Sequence, residues 1–292
     1  MQILTRNEAN HRAAHLNVSA IDVIVDLRAA ANTQVSTYPV TSRLTMSSLE
    51  ERTFIDIVGQ VTDVLVNGTS HDFEDDEDRV WVGDLPVGEP FTLEVRALAS
   101  FSRSGEGLHR YVDPEDGEVY LYTQFEPNDA HRAWPCIDQP DVKPEWTFHV
   151  IAPREWVVSS NGVEVSCEPI QGEALRHDFV AGPWAIIEGG TWSGGASDGG
   201  HAQLALRLLC RRTLARYLDS DDVFEVTRAG LDFFHERYGV TFPWGSYDQV
   251  YVPEYNLGAM ENPGCITFNE SYISRSTPTF TERQRRANTT LH

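Results

Sequence analysis

Much of the chain alternates apolar and polar residues with a period of two, which is the pattern of a half-buried β-strand. Three segments show it, with apolar side chains at every second position: Ile21, Val23, Val25 and Leu27; Phe91, Leu93, Val95 and Ala97; Trp146, Phe148 and Val150. Asn67-Gly68 follows the apolar run 61–66 and predicts a tight turn. Because such short strands recur from about residue 18 to 190 without helical spacers, we predict a mainly β fold, an antiparallel sandwich or saddle.

The period changes after a glycine-rich stretch, residues 189–200, which we interpret as a loop or domain boundary. One more strand-like run follows, and then a helical stripe; their apolar positions are Ala202, Leu204, Leu206 and Leu208 for the strand, and Val223, Val226, Gly230, Phe234 and Tyr238 for the helix. Gly239 suits a left-handed C-cap. Thr281 and Gln284 have the spacing of a capping box, so a second helix is expected to begin near Thr281.

We place the domain boundary in the glycine-rich stretch. Residues 1–195 are then an antiparallel β domain, and residues 196–292 an α+β part. The chain ends inside the second predicted helix, and a domain that ends mid-helix would have lost packing partners. We therefore expect residues 1–292 to be part of a longer protein.

The charge balance excludes one class of partner. The chain carries 44 acidic against 23 basic residues, a net charge of −21, and a phosphate backbone would be repelled by that surface. The acidic run 72–78 lacks the spacing of a calcium loop and is interpreted as a solvated loop. The N-terminus has no apolar signal core, and no run approaches about 18 apolar residues, so we expect a cytoplasmic protein without a membrane partner.

The cysteines do not predict a disulfide framework or a structural zinc site. None of the four, which are Cys136, Cys167, Cys210 and Cys265, forms a C-x-x-C pair or has a histidine at finger spacing.

Three places carry candidate chemistry. The strand period puts Gln124 and Glu126 on one face, where they could bind a cation, although the segment alone favours a polar outer face. Glu261 follows two small residues, Gly258 and Ala259, which let another backbone approach closely, so an extended peptide could pair there with its ammonium group near the carboxylate. His292 alone is more typical of an ordinary helix residue than of a metal ligand, since a zinc hydrolase needs three protein ligands.

Taken together, these segments resemble the aminopeptidase N family of zinc metallopeptidases, its bacterial members in particular. The resemblance rests on residues 242–264, with Gly258-Ala259-Met260-Glu261-Asn262 at their centre, on residues 124–140, and on shorter stretches at 105–114 and 158–162. It spans nearly the whole chain. It implies an N-terminal antiparallel β domain followed by the beginning of a thermolysin-like catalytic domain, with the remaining catalytic and C-terminal domains absent.

The resemblance also implies roles for individual residues. Glu261 and Glu126 would bind the free α-amine of a peptide, Gln124 and Met260 would line the first side-chain pocket, and the backbone of Gly258 and Ala259 would contact the substrate near the scissile bond. Asn262 completes the substrate-binding set. His292 falls where the family's H-E-x-x-H begins and would be the first ligand of one Zn²⁺. No catalytic residue then lies within the chain, because the general base is expected just after His292, and the chain alone is expected to be inactive.

Three other functions stay open. A non-catalytic module could hold peptide N-termini without cutting them. An epoxide-hydrolase-like relative is the second alternative, but Ala259 and Glu126 differ from the Gly and Gln of those relatives. A carbohydrate-binding sandwich is suggested only by the β-rich N-terminal half and seven tryptophans, and it leaves the 258–262 motif unexplained.

Overall fold

The computed structural model describes residues 4–161, 169–170, 174–177, 181–193 and 203–292. It divides into two units, which are treated separately below. Unit 1 comprises residues 1–110, 121–154 and 167–177, and unit 2 comprises residues 111–120, 155–166 and 178–292. The predicted domain boundary at 195/196 lies outside the described residues and stays a prediction.

The elements are numbered in chain order. The strands are β1 (Leu16–Asp26), β2 (Thr37–Ser48), β3 (Thr53–Asp56), β4 (Gly59–Val66), β5 (Thr69–Ser70), β6 (Phe73–Asp76), β7 (Arg79–Val82), β8 (Pro90–Ser100), β9 (Gly107–Val112), β10 (Val119–Gln124), β11 (Glu145–Pro153), β12 (Val157–Val158), β13 (Pro169–Ile170), β14 (Ala174–His177), β15 (Ala181–Gly182), β16 (Ala185–Ser193), β17 (Gln203–Cys210), β18 (Ser246–Val252), β19 (Ala259–Met260) and β20 (Cys265–Asn269). The α-helices are α1 (Arg6–His15), α2 (Ser220–Tyr238) and α3 (Phe280–Leu291), and short 3₁₀ turns lie at Ala130–Arg132, Arg212–Tyr217 and Glu270–Tyr272.

Unit 1 is built on an eight-stranded sheet in the order β13-β14-β11-β1-β2-β8-β4-β5. The alternating segments form strands as predicted, and their apolar positions in β1 and β8 are buried. The prediction of purely antiparallel pairing is wrong at one ladder, because β1 and β11 run parallel from Ala20↔Glu145 to Asp26↔Ile151. A three-stranded sheet, β3-β7-β6, also lies in this unit.

Two predictions about turns in unit 1 have different outcomes. Asn67 and Gly68 have φ values of 50° and 78° and join β4 to β5, which confirms the tight turn. The acidic run is exposed, as expected, but the interpretation as a loop is wrong: residues 73–76 form β6, which pairs antiparallel with β7. The chain reverses at Glu77, whose φ is 56°.

Helix α1 was not predicted, because its sequence has almost no apolar residues. It begins with a capping box, in which the Thr5 side chain accepts from the Glu8 N–H and the Glu8 carboxylate accepts from the Thr5 N–H. Arg12, only 1% exposed, anchors the helix. It donates to Asp56 Oδ2 at 2.8 Å and to Gln139 Oε1 at 2.9 Å. A polar helix is thus held by a buried ion pair rather than by an apolar stripe.

Unit 2 contains a mixed five-stranded sheet in the order β16-β17-β18-β20-β19. β17, β18 and β20 run parallel to one another, while β16 and β19 pair antiparallel at the two edges. β12 pairs antiparallel with β15 through Val157↔Gly182 and Val158↔Ala181. The apolar residues of β17 pack with those of α2 in the core of this unit.

The prediction of a loop in the glycine-rich stretch is wrong for the part that the structure describes. Residues 189–193 belong to β16, and residues 194–200 lie outside the described part of the chain. A Cβ atom on Gly189 would lie 2.3 Å from the Phe224 ring, so this glycine lets α2 approach the strand closely. Gly190 has a φ of 73° at a register shift of the β16–β17 ladder, a bulge that glycine permits without strain.

Both predicted helices of unit 2 exist. Gly239 caps α2 with a φ of 66°, as expected. The start of α3 is corrected by two residues: the cap is Thr279, whose side chain accepts from the Glu282 N–H, and not Thr281. On the predicted stripe of α2, Val223 is buried, whereas Phe234 and Tyr238 are 40% and 69% exposed.

Three cysteines, Cys136, Cys210 and Cys265, are buried and free, and Cys167 lies outside the described residues. Burial raises the pKa of the Cys210 and Cys265 thiols to about 12. In the described part of the chain, no helix combines the length and the apolar character needed to cross a membrane.

Candidate functional site

The motif 258–262 places a short strand at an edge of the unit 2 sheet. Ala259 and Met260 form β19, which pairs with β20 through Ala259↔Phe268 and Met260↔Thr267. On its other side β19 has no strand neighbour among the described residues. The unpaired N–H and C=O groups of such an edge can pair with an extended peptide.

Residues 255–258, which lead into β19, are held by one residue of β20, Asn269. Asn269 Nδ2 donates to the backbone oxygens of Tyr255 at 2.8 Å and Leu257 at 3.2 Å. The backbone N–H of Asn269 donates to Gly258 O at 2.9 Å. The turn before β19 is therefore held by three hydrogen bonds to a single residue.

A second polar group holds the end of the motif. The buried Thr267 hydroxyl lies 2.8 Å from the Tyr255 hydroxyl and 3.4 Å from Asn262 Nδ2. Asn262 O accepts a hydrogen bond from the Cys265 N–H at 3.3 Å. Asn262 is thus held by its side chain and its backbone, which fixes the position of Glu261 next to it.

Tyr272 links the motif to α3. Its hydroxyl lies 3.0 Å from Thr289 Oγ1, and a Cβ atom built on Gly258 would lie 3.2 Å from the same hydroxyl. Any side chain at position 258 would therefore press on the tyrosine that contacts α3. The absence of a side chain at Gly258 permits this close approach.

Tyr272 lies in a 3₁₀ turn that a buried arginine, Arg211, holds in place. Arg211, 4% exposed, donates from Nε and Nη2 to the two carboxylate oxygens of Glu270 at 2.8 and 2.9 Å, and from Nη1 to Asp113. Burial alone would raise the pKa of Asp113, but hydrogen bonds from Thr213, the Glu115 N–H and Arg211 outweigh it and lower that pKa. Glu270 begins the 3₁₀ turn that ends at Tyr272, so this network positions Tyr272.

Helix α3 is placed against α2 by one ion pair and one close approach. Arg286, 4% exposed, donates from Nη2 to Asp222 Oδ2 at 2.5 Å and to Asp219 Oδ2 at 3.1 Å. At the other end of α3, a Cβ on Gly230 would lie 2.5 Å from Leu291 Cδ2. The glycine predicted on the helical stripe therefore lets Leu291, the neighbour of His292, pack onto α2.

These elements enclose a cavity of about 530 Å³ within unit 2. Its apolar walls come from β16, α2, the segment after α2, and α3, and include Trp192, Phe234, Tyr238, Phe242, Trp244 and Leu291. Four predicted site residues line it: Ala259, Glu261, Asn262 and His292. The structure therefore brings the motif and the predicted metal ligand to one cavity, while Gly258 and Met260 lie outside its lining.

The cavity combines one carboxylate with largely apolar walls. Glu261 is exposed at the cavity and is available to a positively charged group. Such a site can hold an ammonium group at Glu261 and an apolar side chain against the aromatic walls.

Gln124 and Glu126 belong to unit 1. Gln124 ends β10 and is 6% exposed, whereas Glu126 lies exposed in the turn that follows, before the cis bond to Pro127. The prediction that both lie on one face of a strand is therefore wrong, because the strand ends at Gln124. Their participation in the same site as Glu261 stays a prediction.

His292 matches one zinc ligand and no more. A zinc hydrolase site uses three protein ligands and an open position. In the described residues, the one group of three or more potential ligands close enough to share an ion is His11, His15 and Glu50, in unit 1. The donor set around His292 therefore does not complete a zinc site in the described chain.

The residues that shape the cavity were missed by the sequence prediction. Tyr272, Asn269 and Arg286 act through partners distant in the chain, and nothing in their local sequence indicates those contacts. Only Gly230 had a signal, as a glycine inside a predicted helix, where a close approach is a common reason.

The chain is similar to two protein-family domains and to several individual proteins. Residues 23–183 match the Peptidase M1 N-terminal domain, and residues 223–292 match the Peptidase family M1 domain. Aminopeptidase N of Streptomyces lividans is 36% identical over 300 residues, covering 99% of this chain. A probable aminopeptidase 1 of Sulfurisphaera tokodaii is 25% identical over 263 residues, covering 88% of this chain, and aminopeptidase N of Haemonchus contortus is 27% identical over 209 residues, covering 65%.

The chain is much shorter than these relatives. The matches cover 34% of the Streptomyces lividans protein, 32% of the Sulfurisphaera tokodaii protein and 20% of the Haemonchus contortus protein.

Proposed function

Because this chain belongs to peptidase family M1, the aminopeptidase N family, we propose that it is the substrate-binding part of a zinc-dependent aminopeptidase. The complete enzyme would remove single residues from the N-termini of peptides. Its partners are peptides with a free N-terminal amine, and a cytoplasmic location stays a prediction of the sequence.

One observation carries the proposal: the edge strand β19, the carboxylate of Glu261 and the ring of His292 lie at one apolar cavity. A peptide that enters would pair its backbone with β19 and place its ammonium group at Glu261. Because the carboxylate meets the end of the peptide rather than its middle, the site selects chain ends. Glu126 would share the amine, and Gln124 and Met260 would contact the first side chain.

Among the predicted site residues, His292 is the one proposed zinc ligand. A zinc ion in such enzymes polarises the scissile carbonyl and activates a water molecule. Because the described residues at the cavity include no group of three potential ligands close enough to share an ion, we propose that this 292-residue chain binds peptides and does not hydrolyse them.

The test compares one peptide with a free and with an acetylated N-terminus. Binding of a fluorescent tripeptide with an apolar first residue is measured by anisotropy for the chain and for Glu261→Gln. We expect acetylation and Glu261→Gln each to weaken binding at least tenfold, with no further loss when they are combined. Glu225→Gln, an exposed α2 position outside the cavity lining, is the control and leaves binding unchanged. Equal affinity for the free and acetylated peptides would rule out the amine anchor.

A further inference from the structure

Two histidines and a glutamate meet at the end of α1, in unit 1. His11 and His15 are four residues apart, which places them on one face of the helix. His11 Nε2 lies 3.1 Å and His15 Nε2 3.9 Å from Glu50 Oε2. The donor atoms of the three side chains all lie within 4.8 Å of one another. Two histidines at this helical spacing are a recurrent metal-binding arrangement.

The hydrogen bonding of His15 leaves one ring nitrogen ready for a metal. His15 Nδ1 lies 2.6 Å from the backbone oxygen of His11, and because a carbonyl only accepts, Nδ1 donates the proton. In the neutral ring, Nε2 then carries a lone pair. That Nε2 atom is buried and has no hydrogen-bond partner among the described residues, while the side chain as a whole is 9% exposed. A buried acceptor without a partner is costly, and a cation would satisfy it.

The backbone around the cluster is fixed. Ser48, 1% exposed, ends β2 and holds Glu50, two residues on, by two hydrogen bonds: its hydroxyl donates to Glu50 O at 2.6 Å and accepts from the Glu50 N–H at 3.1 Å. The Leu49 N–H donates to His15 O at 2.9 Å, which joins this turn to the helix end. With Arg12 anchoring α1, both sides of the cluster are held before any ion arrives.

We propose that His11, His15 and Glu50 form a binding site for a divalent transition-metal ion of the Zn²⁺ class, separate from the peptide cavity. Two imidazole nitrogens and a carboxylate suit zinc, whereas Ca²⁺ and Mg²⁺ take oxygen ligands. In a tetrahedral zinc site the ligand atoms lie about 3.4 Å apart, so the observed spacings need only small side-chain movements. His11 and Glu50, 63% and 45% exposed, give the ion a path from solvent and leave room for water as the fourth ligand.

Such an ion would cross-link two elements of unit 1. His11 and His15 lie on α1, and Glu50 lies on the turn after β2, so one ion would join the N-terminal helix to the sheet. The polar helix, held otherwise by the Arg12 ion pair, would gain stability that rises with the logarithm of the metal concentration above Kd.

The test is titration of the metal-free protein with Zn²⁺, followed by calorimetry, with Co²⁺ as a spectroscopic probe of coordination. We expect one ion at the cluster, a rise in the unfolding temperature with Zn²⁺, and visible Co²⁺ absorption of a four-coordinate site. His11→Ala and Glu50→Gln should each weaken binding at least tenfold and abolish the temperature rise. Both side chains are largely exposed, so the metal-free variants should unfold at the wild-type temperature.

His292→Ala separates this site from the peptide cavity. We expect that variant to bind Zn²⁺ as the wild type does. Absence of Zn²⁺ binding in the wild type, unchanged affinity in His11→Ala and Glu50→Gln, or loss of binding in His292→Ala alone would each overturn the proposal. His15→Ala is a second test of the metal site. Loss of the Co²⁺ absorption while the circular dichroism spectrum is retained would support His15 as a ligand.

Discussion

Gly230 of α2 and Leu291 of α3 approach so closely that a methyl group at position 230 would lie 2.5 Å from Leu291 Cδ2. The contact lies one residue before His292 and sets how the end of α3 meets the wall of the cavity. A glycine inside a helix costs about 1 kcal/mol relative to alanine, and here that cost is matched by a packing requirement.

This contact predicts non-additive effects in a double-mutant cycle. Gly230→Ala alone should gain helix propensity but force the Leu291 side chain aside, so its net gain should be well below the roughly 1 kcal/mol of an unobstructed helix position. In a Leu291→Ala background, the same substitution should stabilise the protein by about 1 kcal/mol. Free energies of unfolding from urea titrations measure both, and strictly additive effects would contradict the contact.

Glu261 is predicted to anchor the substrate amine in the complete enzyme. Glu261→Gln should lower kcat/KM for an aminoacyl anilide by about a hundredfold or more, because the ammonium group would be covered without its counter-charge. Glu225→Gln is the matched control and should leave the rate unchanged. A loss of less than tenfold for Glu261→Gln would disprove the anchor.

Arg286 is predicted to be a structural cation, since it neutralises two acids at the start of α2. Arg286→Met should destabilise the protein by about 3 kcal/mol, because Asp219 and Asp222 would face each other without a counter-charge. Combining it with Asp219→Asn and Asp222→Asn should recover most of the loss. If chemical denaturation shows no recovery in the triple variant, the packing of the arginine stem, and not its charge, holds α3.

The Arg211 network predicts a loss of stability in acid. The pKa of Asp113 is lower in the folded protein than its usual 3.8, so its contribution is complete above about pH 4 and is lost as the pH falls through the folded value. Asp113→Asn removes this contribution at every pH. The difference in unfolding free energy between wild type and variant should therefore be constant from pH 7 to about pH 4 and shrink below it. A difference that grows in acid would reverse the sign of the assigned shift.

The sequence predicted those elements whose apolar pattern is local. β1 and β8 followed from alternation, and α2 with its Gly239 cap followed from the helical stripe. Helix α1 has no such stripe, yet Thr5 and Glu8 carried a capping-box signal that could have located it. For α3 the cap was predicted at Thr281, whereas Thr279 caps the helix because Glu282 closes the capping box on it.

Of the predicted site residues, Ala259, Glu261, Asn262 and His292 line the cavity, whereas its apolar walls were not predicted. The motif 258–262 and His292 could be identified by resemblance, and the structure brings Glu261 and His292 to one cavity. The apolar walls come from four separate segments, so their convergence depends on pairing across the sheet and on the contact of α2 with α3. Long-range contacts of this kind leave no periodic trace in a single sequence.

The short length of β19 limits how much of a bound peptide this sheet edge can contact. A strand of two residues offers an incoming peptide at most a few backbone hydrogen bonds, each worth about 1 kcal/mol net. Every residue added beyond that reach gains nothing from this edge. Under the proposed function, we therefore expect a tripeptide and a long unfolded chain with the same first residues to bind this edge with similar affinity per molecule.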